Sequence, residues 1–469
     1  MRFAFLAAVV SLATNVRSQY CDTLTSIHAD TVVIDNGVHT FKDFFSKGKF
    51  RGHIRNYFMS TINDGSLTDH YANAIGGSIA YKTANWNGFE LGINAIYTFN
   101  AFSSDLTGTD PNTMAAKWEM ELFDIQNPTN KYNLTRLDEL YLGYHSKKFR
   151  IKAGRMNIDE DPLLKRRDGR MMAFMYQGIW NSIDLSSKVK MYNGFINGVA
   201  PRGMTKWYSM NEAIGITNNG MLNDSTKMNY RTAANTKGLL VNGFKITPVK
   251  ALKIQVWNYY LLHMHNTLWT QVDFNTEKFG IGIQYVLQAA DPYQRKLTSS
   301  QQYFNPDHLS HSIAFQLQYN FNKKLQFRMA QLFITNDGRF QFPKELTREN
   351  FYTSIPRSWM DGLGNLSVSL AGLQFYPNDK LKKDLRFDLI AQYINSPDIT
   401  DLRMNKYGTP DYLQINFGSR YNFHGSLDGL SINLLYIYRY CDLPSGMSFS
   451  KEYYKVNFHH INLIVEFLF

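Results

Sequence analysis

The chain has 469 residues, a net charge of +11 and 15% aromatic residues, with 33 Phe, 29 Tyr and 7 Trp. Mean hydropathy is nevertheless low at −0.34. Past the N-terminus no run of about 18 apolar residues occurs, which excludes a spanning helix, and 2 cysteines exclude a disulfide-stapled scaffold.

The first element is a signal sequence. "MRFAFLAAVVSLATNVRSQYC" has a basic start at Arg2, an apolar stretch from Phe3 to Ala13, and Val16 and Ser18 at the small-residue positions of a cleavage site. This predicts a secretory signal peptide over residues 1–18. Residues 19–46 read as a short periplasmic lead-in, and residues 47–469 as a single barrel domain.

From about residue 47 the chain alternates. In the first run, Arg51, His53 and Arg55 oppose Phe50, Ile54 and Phe58. "FRIKAGR" sets Arg150 and Lys152 against Phe149, Ile151 and Ala153. "KFGIGIQYVLQ", "HSIAFQLQYNF", "DLRFDLIAQY" and "YLQINFGSRY" each sort bulky apolar residues onto one face. A period of two predicts strands, and strands of about ten residues, tilted, can cross a bilayer. Breaks between runs alternate in length. Short ones such as "ANWNG" (84–88), "TPVK" (247–250) and "NFNKK" (320–324) carry turn residues. Long ones run over about 99–135, 157–172, 201–235, 291–307, 336–364, 396–409 and 441–454. Short turns at one rim and long loops at the other are the rhythm of an outer-membrane barrel. The expected fold class is all-β, an antiparallel transmembrane β-barrel of about 18 strands with both termini at the short-turn rim. The pair "LKIQVWNYYLLHMH" and "NTLWTQVDFNT" leaves almost no connection between its strands.

The chain finishes on "HHINLIVEFLF", with Phe469, Phe467, Val465, Leu463 and Ile461 alternating against Glu466, Asn462 and His460. In a bilayer every backbone polar group must be paired, so the last strand closes onto the first.

Two stretches carry a family resemblance. "HTFKDFFSKGKFRGHIRNYFM" (39–59) is a short amphipathic lead-in followed by a basic strand. "LDELYLGYHSKKFRIKAGRMNIDEDPLLKRRDGRMMAFMYQGIW" (137–180) contains Gly154–Arg155, Pro162–Leu163–Leu164, Asp168 with Arg170–Met171, and Tyr176 with Gly178. In order and spacing these resemble the OprD-type outer-membrane porins, although Ala173 stands where that family commonly has Pro. The resemblance implies an 18-stranded barrel, monomeric or homotrimeric, whose infolded third loop narrows the pore. It also implies that the insertion machinery reads the aromatic terminus at Phe469. The expected location is the outer membrane of a Gram-negative bacterium, in contact with lipid bilayer and lipopolysaccharide.

A lysine or arginine facing mid-bilayer lipid costs about 2–4 kcal/mol, so the strand cations should face the lumen. Arg51, Arg55, Arg150, Lys152, Arg386 and Arg420 are therefore candidate pore residues. Lys165, Arg166, Arg167 and Arg170 join them through the loop "LLKRRDGR". Lumen cations favour anions, which predicts a diffusion channel for small hydrophilic, carboxylate-like solutes. The alternative for the cations is pairing with lumen acids such as Glu90, Glu139, Asp388 and Glu466. Two other functional classes stay open: a barrel enzyme of lipase or protease type, for which Asp291, His308 and His311 are the candidate group, and a plugged structural or secretion-linked barrel. No G-x-S-x-G, H-E-x-x-H or C-x-x-C occurs. "HMH" (263–265) and "HH" (459–460) read as rim residues rather than metal ligands. No cofactor, metal or nucleic-acid partner is expected.

Overall fold

The computed structural model describes residues 38–64, 68–109, 117–165, 169–217, 219–378, 384–442 and 457–469. The predicted signal peptide, and Arg166 and Arg167 of the basic loop, lie outside the described residues.

The strands are β1 (Lys49–Asn63), β2 (His70–Lys82), β3 (Phe89–Ser103), β4 (Leu134–His145), β5 (Phe149–Met156), β6 (Met175–Asp184), β7 (Val189–Ala200), β8 (Tyr208–Ser209), β9 (Leu239–Val249) and β10 (Leu252–Leu261). They continue with β11 (His265–Asn275), β12 (Phe279–Ala290), β13 (Leu309–Asn320), β14 (Leu325–Ile334), β15 (Leu366–Phe375), β16 (Leu385–Asn395), β17 (Tyr412–Asn422), β18 (Leu430–Tyr440) and β19 (Phe458–Leu468). All pair in sequence order, antiparallel, except that β7 passes directly to β9 and the two-residue β8 only extends the end of β7. The ring of eighteen closes where β1 pairs β19, from His53 opposite Leu468 to Asn63 opposite Phe458. Gly52 and Phe469 exchange backbone hydrogen bonds of 2.8 and 3.0 Å just below that seam. The terminal strand is therefore fully paired on both sides.

The expected faces are the observed ones. Phe50, Ile54, Ile281, Ile283, Phe315, Leu317, Leu389 and Phe467 point outward and are exposed. Exposed aromatics ring both rims: Phe89, Phe279, Phe321, Phe375, Tyr421 and Phe469 at the short-turn rim, Tyr71, Phe102, Phe333, Tyr393 and Tyr440 at the other. This is the double girdle expected at two membrane interfaces.

The turns follow their residues. "ANWNG" closes a two-residue hairpin in which Asn87 and Gly88 take φ of 51° and 94°, and Trp86 and Phe89 exchange hydrogen bonds. Both central residues need the left-handed region there, which Asn and Gly tolerate. The near-absent connection between β10 and β11 is real: residues 262–264 make the whole turn, with His263 at φ 64°. Before β1, the helix α1 (Phe41–Ser46) is capped by Thr40 and Asp43 and packs its aromatics against Trp86 at the short-turn rim.

The resemblance implied one infolded loop; the structure folds in several. Segment 335–365 follows the inner wall through half the barrel. Gln288 of β12 donates to the Gln341 carbonyl at 2.7 Å and accepts from its amide at 2.9 Å. Gln284 likewise holds Asn350 and Tyr352. Gln392 of β16 then takes the Thr353 carbonyl, Gln414 of β17 takes Pro356, and Arg439 of β18 takes Arg357. The physical reason is apolar content. Phe340, Phe342, Leu346, Phe351, Tyr352, Ile355 and Met360 are all buried in the lumen. Leaving so many large apolar side chains in water would forfeit about 1.5–3 kcal/mol each.

Candidate functional site

The loop between β5 and β6 is held by its own sequence. Asp161 Oδ1 accepts from the amides of Leu163 and Leu164 at 2.7 and 2.6 Å and from the Tyr259 hydroxyl at 2.8 Å. Burial pushes the Asp161 carboxyl up to about 7 against those hydrogen bonds, which favour its ionised form. Leu163 and Leu164 are fully buried. Thr347 donates to the Leu163 carbonyl, and Tyr176 donates to the carbonyls of Lys165 and Leu346. The third loop is thus riveted to segment 335–365. At its far end Arg136 of β4 binds the Ala173, Pro201 and Met204 carbonyls, which ties that loop to the one after β7.

Where these loops meet, guanidiniums gather around one carboxylate. Glu121 sits in a short 3-10 turn, Trp118–Leu122, of the loop between β3 and β4. Its Oε2 lies 2.6 Å from Arg170, 3.5 Å from Arg202 and 3.6 Å from Arg357. Arg348 completes the group electrostatically. Burial would raise the Glu121 pKa, but Arg170, Arg357, Arg202 and Arg348 outweigh it and hold the carboxyl well below the usual range. The guanidinium faces are covered by rings: Arg348 lies 4.2 Å from the Trp359 centroid, and Arg357 lies 4.5 Å from that of Trp118. Such stacking leaves the N–H edges free to point at an anion.

The described sequence-derived candidates divide into four groups. Arg170 enters the cluster. Arg55, Arg386 and Arg420 face the lumen but have wall partners: Arg55 binds Glu466 at 2.6 Å, Arg386 binds Asp388 at 2.8 Å, and Arg420 donates to Asn422 at 3.0 Å. Arg55 also donates to the Arg170 carbonyl at 2.6 Å, so the seam pair positions the cluster. Arg51, Arg150 and Lys152 lie half-buried on lumen faces near the short-turn rim, Lys152 with its ammonium 4.9 Å from the Tyr141 ring. Lys165 is half-buried in the third loop.

Sequence reasoning missed Arg202, Arg348, Arg357 and Glu121, which lie in aperiodic loops where no spacing marks them. It also missed Lys190 and Lys245, although alternation could have found them. They face each other across β7 and β9 and, with Lys148, Asp184, Lys188 and Tyr192, line a cavity of about 580 Å³ at the short-turn rim.

The candidate enzyme group does not assemble. Asp291 caps a turn and accepts from Tyr260, whereas His311 bonds Tyr285. The histidine pairs split likewise. His265 is buried against Tyr303 while His263 stacks on Tyr293 at the turn, and His460 faces inward while His459 stacks on Tyr438. Among the described residues no cluster of three or more His, Cys, Asp or Glu side chains could hold a metal ion.

Solved structures give the architecture its context. OccD3 (OpdP) of Pseudomonas aeruginosa superposes with a TM-score of 0.65 at 10% identity, covering 91% of this chain and 92% of its own. The chain has the fold of the OprD/Occ porins. OpdK of the same organism, solved with vanillate, matches at a TM-score of 0.67 and 12% identity, over 91% of this chain and 99% of its own. OccAB4 of Acinetobacter baumannii matches at 0.67 and 14% identity, over 90% and 98%. No protein-family model and no curated protein sequence matches the chain.

Proposed function

We propose that this protein is an outer-membrane porin, a diffusion channel for small hydrophilic solutes with a preference for carboxylate-like anions. The observation that carries this reading is the guanidinium cluster of Arg170, Arg202, Arg348 and Arg357 at the meeting point of the loops. A narrow, low-dielectric passage focuses the field of its wall charges, so a few arginines there outweigh many at the rim. Below the cluster, Arg51, Arg150, Lys152, Lys190 and Lys245 continue a cationic surface toward the short-turn rim, which supports an anion path. OpdK, solved with the carboxylate vanillate, has the same fold and supports the same solute class. The two aromatic girdles support membrane insertion, with the long loops outside and Phe469 presented to the insertion machinery. The assembly is proposed to be a monomer or homotrimer.

The folded-in loops favour one rival reading, a barrel held shut. Planar-bilayer recordings in a potassium chloride gradient separate the two. A channel gives discrete conductance steps and a reversal potential displaced toward the chloride equilibrium value. That displacement fades as salt rises, because screening at about 0.15 M reaches only about 8 Å. Absence of conductance overturns the channel, and a potassium-directed potential overturns the anion preference.

A further inference from the structure

The cluster already contains an anion. Glu121 directs one oxygen at Arg170, Arg202 and Arg357, and Arg170 reaches it through both Nε and Nη2, at 2.7 and 2.6 Å. The acid is also more accessible than the three arginines it pairs with, and Arg348 beside it is likewise only half-buried. The Glu121 side chain is 16% exposed, against 8% for Arg170, 5% for Arg202 and 2% for Arg357. The arginines therefore form the wall, and the carboxylate stands on the open side of it. Nε of Arg348 is enclosed without a hydrogen-bond acceptor, and Nη1 of Arg357 faces Glu121 only at 3.6 Å, beyond hydrogen-bond distance. The other acids nearby are held elsewhere: Glu119 accepts from Thr61 and Glu349 from the Met360 amide. The site is built for more oxyanion contacts than Glu121 makes.

We propose that Glu121 is a resident competitor, a tethered carboxylate that a permeating oxyanion must displace from Arg170, Arg202 and Arg357 and that displaces the oxyanion in turn. The inference rests on the anion-channel reading given above and adds how the site releases what it binds. Conduction needs a site attractive enough to enter and weak enough to leave. Several desolvated guanidiniums alone would hold a carboxylate tightly, since charge-assisted and bidentate contacts are the strong ones. A tethered rival at high local concentration lowers that affinity without removing a single arginine. The exchanging species is a small planar carboxylate, because its two oxygens match the guanidinium edges.

The test uses the full-length protein in planar bilayers, with potassium chloride carrying the current and potassium acetate as the competing anion. In Glu121→Gln the acetate concentration that halves the chloride current should fall by about ten-fold, the usual worth of one charge-assisted contact. A purely structural role would change the unblocked conductance but leave that concentration unmoved, and this result overturns the proposal. Where Glu121→Gln fails to insert, Arg348→Gln serves, because it removes a cation rather than the balancing acid. It should raise the half-blocking concentration by about three-fold or more, and an unchanged value overturns the proposal. The reversal potential of the unsubstituted channel is read in the same recordings. A cation-directed value discards the anion-channel reading itself, whereas an anion-directed value with no Glu121 effect discards only the resident competitor.

Discussion

The two sides of the lumen wall read alike in sequence and do different work. On β12, β16 and β17 the inward positions are amides, Gln284, Gln288, Gln392, Gln414 and Asn416, and they are consumed by segment 335–365. On β7 and β9 the inward positions include Lys190 and Lys245, and the wall there borders a cavity instead. The difference is donor chemistry. A glutamine offers both an N–H donor group and a carbonyl acceptor, so it can bond a backbone amide and carbonyl together, as Gln288 does with Gln341. A lysine only donates and carries a charge that costs free energy to bury without an acid. The amides therefore hold a loop here and the lysines leave the wall open, whereas guanidiniums elsewhere, Arg136 and Arg439, also take loop carbonyls.

The comparison can be broken first at the seam, where a cation is tied to the wall. Arg55→Ala removes the cation that pairs with buried Glu466 and should destabilise the barrel by up to about 3–5 kcal/mol, seen as a lower temperature of unfolding in heat-modifiability gels. The paired change Arg55→Met with Glu466→Gln should recover most of that loss. On the amide wall, Gln288→Ala strips the Gln341 amide and carbonyl of their partners. A cost of about 1–3 kcal/mol per buried unpaired group is expected. It should appear as faster proteolysis within segment 335–365 and noisier open-channel current. Wild-type proteolysis rates would show that the amide is incidental.

A third test concerns the loops themselves. Lys406 is buried, donates to the Tyr230 hydroxyl at 3.4 Å, and has its ammonium 4.9, 5.5 and 5.4 Å from the rings of Tyr230, Tyr303 and Tyr407. Burial lowers its pKa from 10.5 to about 7, partly offset by Asp361. Between those values the unfolded chain holds a proton that the folded one does not, so loop stability should rise with pH through the window. Proteolysis of the loops at 201–238 and 396–411 should slow from about pH 7 to about pH 10, and Lys406→Met should remove the slope. The smallest stability effect belongs to the cationic wall. Lys190→Gln with Lys245→Gln should shift stability by less than about 0.5 kcal/mol. It should still lower the anion-to-cation permeability ratio. An unchanged ratio would show that this wall is scenery and that the loop cluster alone selects.

Most of the barrel was legible because period-two alternation is enforced by two solvents. Ile281 and Gln284 cannot exchange faces without placing an amide in lipid, so their positions report the geometry directly. Turn chemistry at Asn87–Gly88 was equally readable, whereas the minimal turn at 262–264 was the least legible connection, because it breaks the rhythm of long loops at that rim. The loops were not. Nothing local in "QFPKELTRENFYTSIPRSWMDG" distinguishes a segment lying outside from one wound around the inner wall, because its partners are glutamines of strands far along the chain. Of the third-loop cations, Arg170 was singled out through the motif around it and lies in the cluster, while Arg166 and Arg167 lie outside the described residues. The companions of Arg170 in the cluster, Arg202, Arg348 and Arg357, are brought there by tertiary packing that no spacing encodes.

The seam between β1 and β19 has a kinetic consequence. Arg55 and Glu466, whose bond locks it, are 411 residues apart. Closing so long a loop defers the decisive contact to the end of folding, and high contact order makes such steps slow. Until β19 docks, β1 presents an unpaired edge with Phe50 and Ile54 turned outward, a template for pairing with the wrong chain. The pool of unclosed chains should therefore be the aggregation-prone species whenever synthesis outruns closure of the barrel.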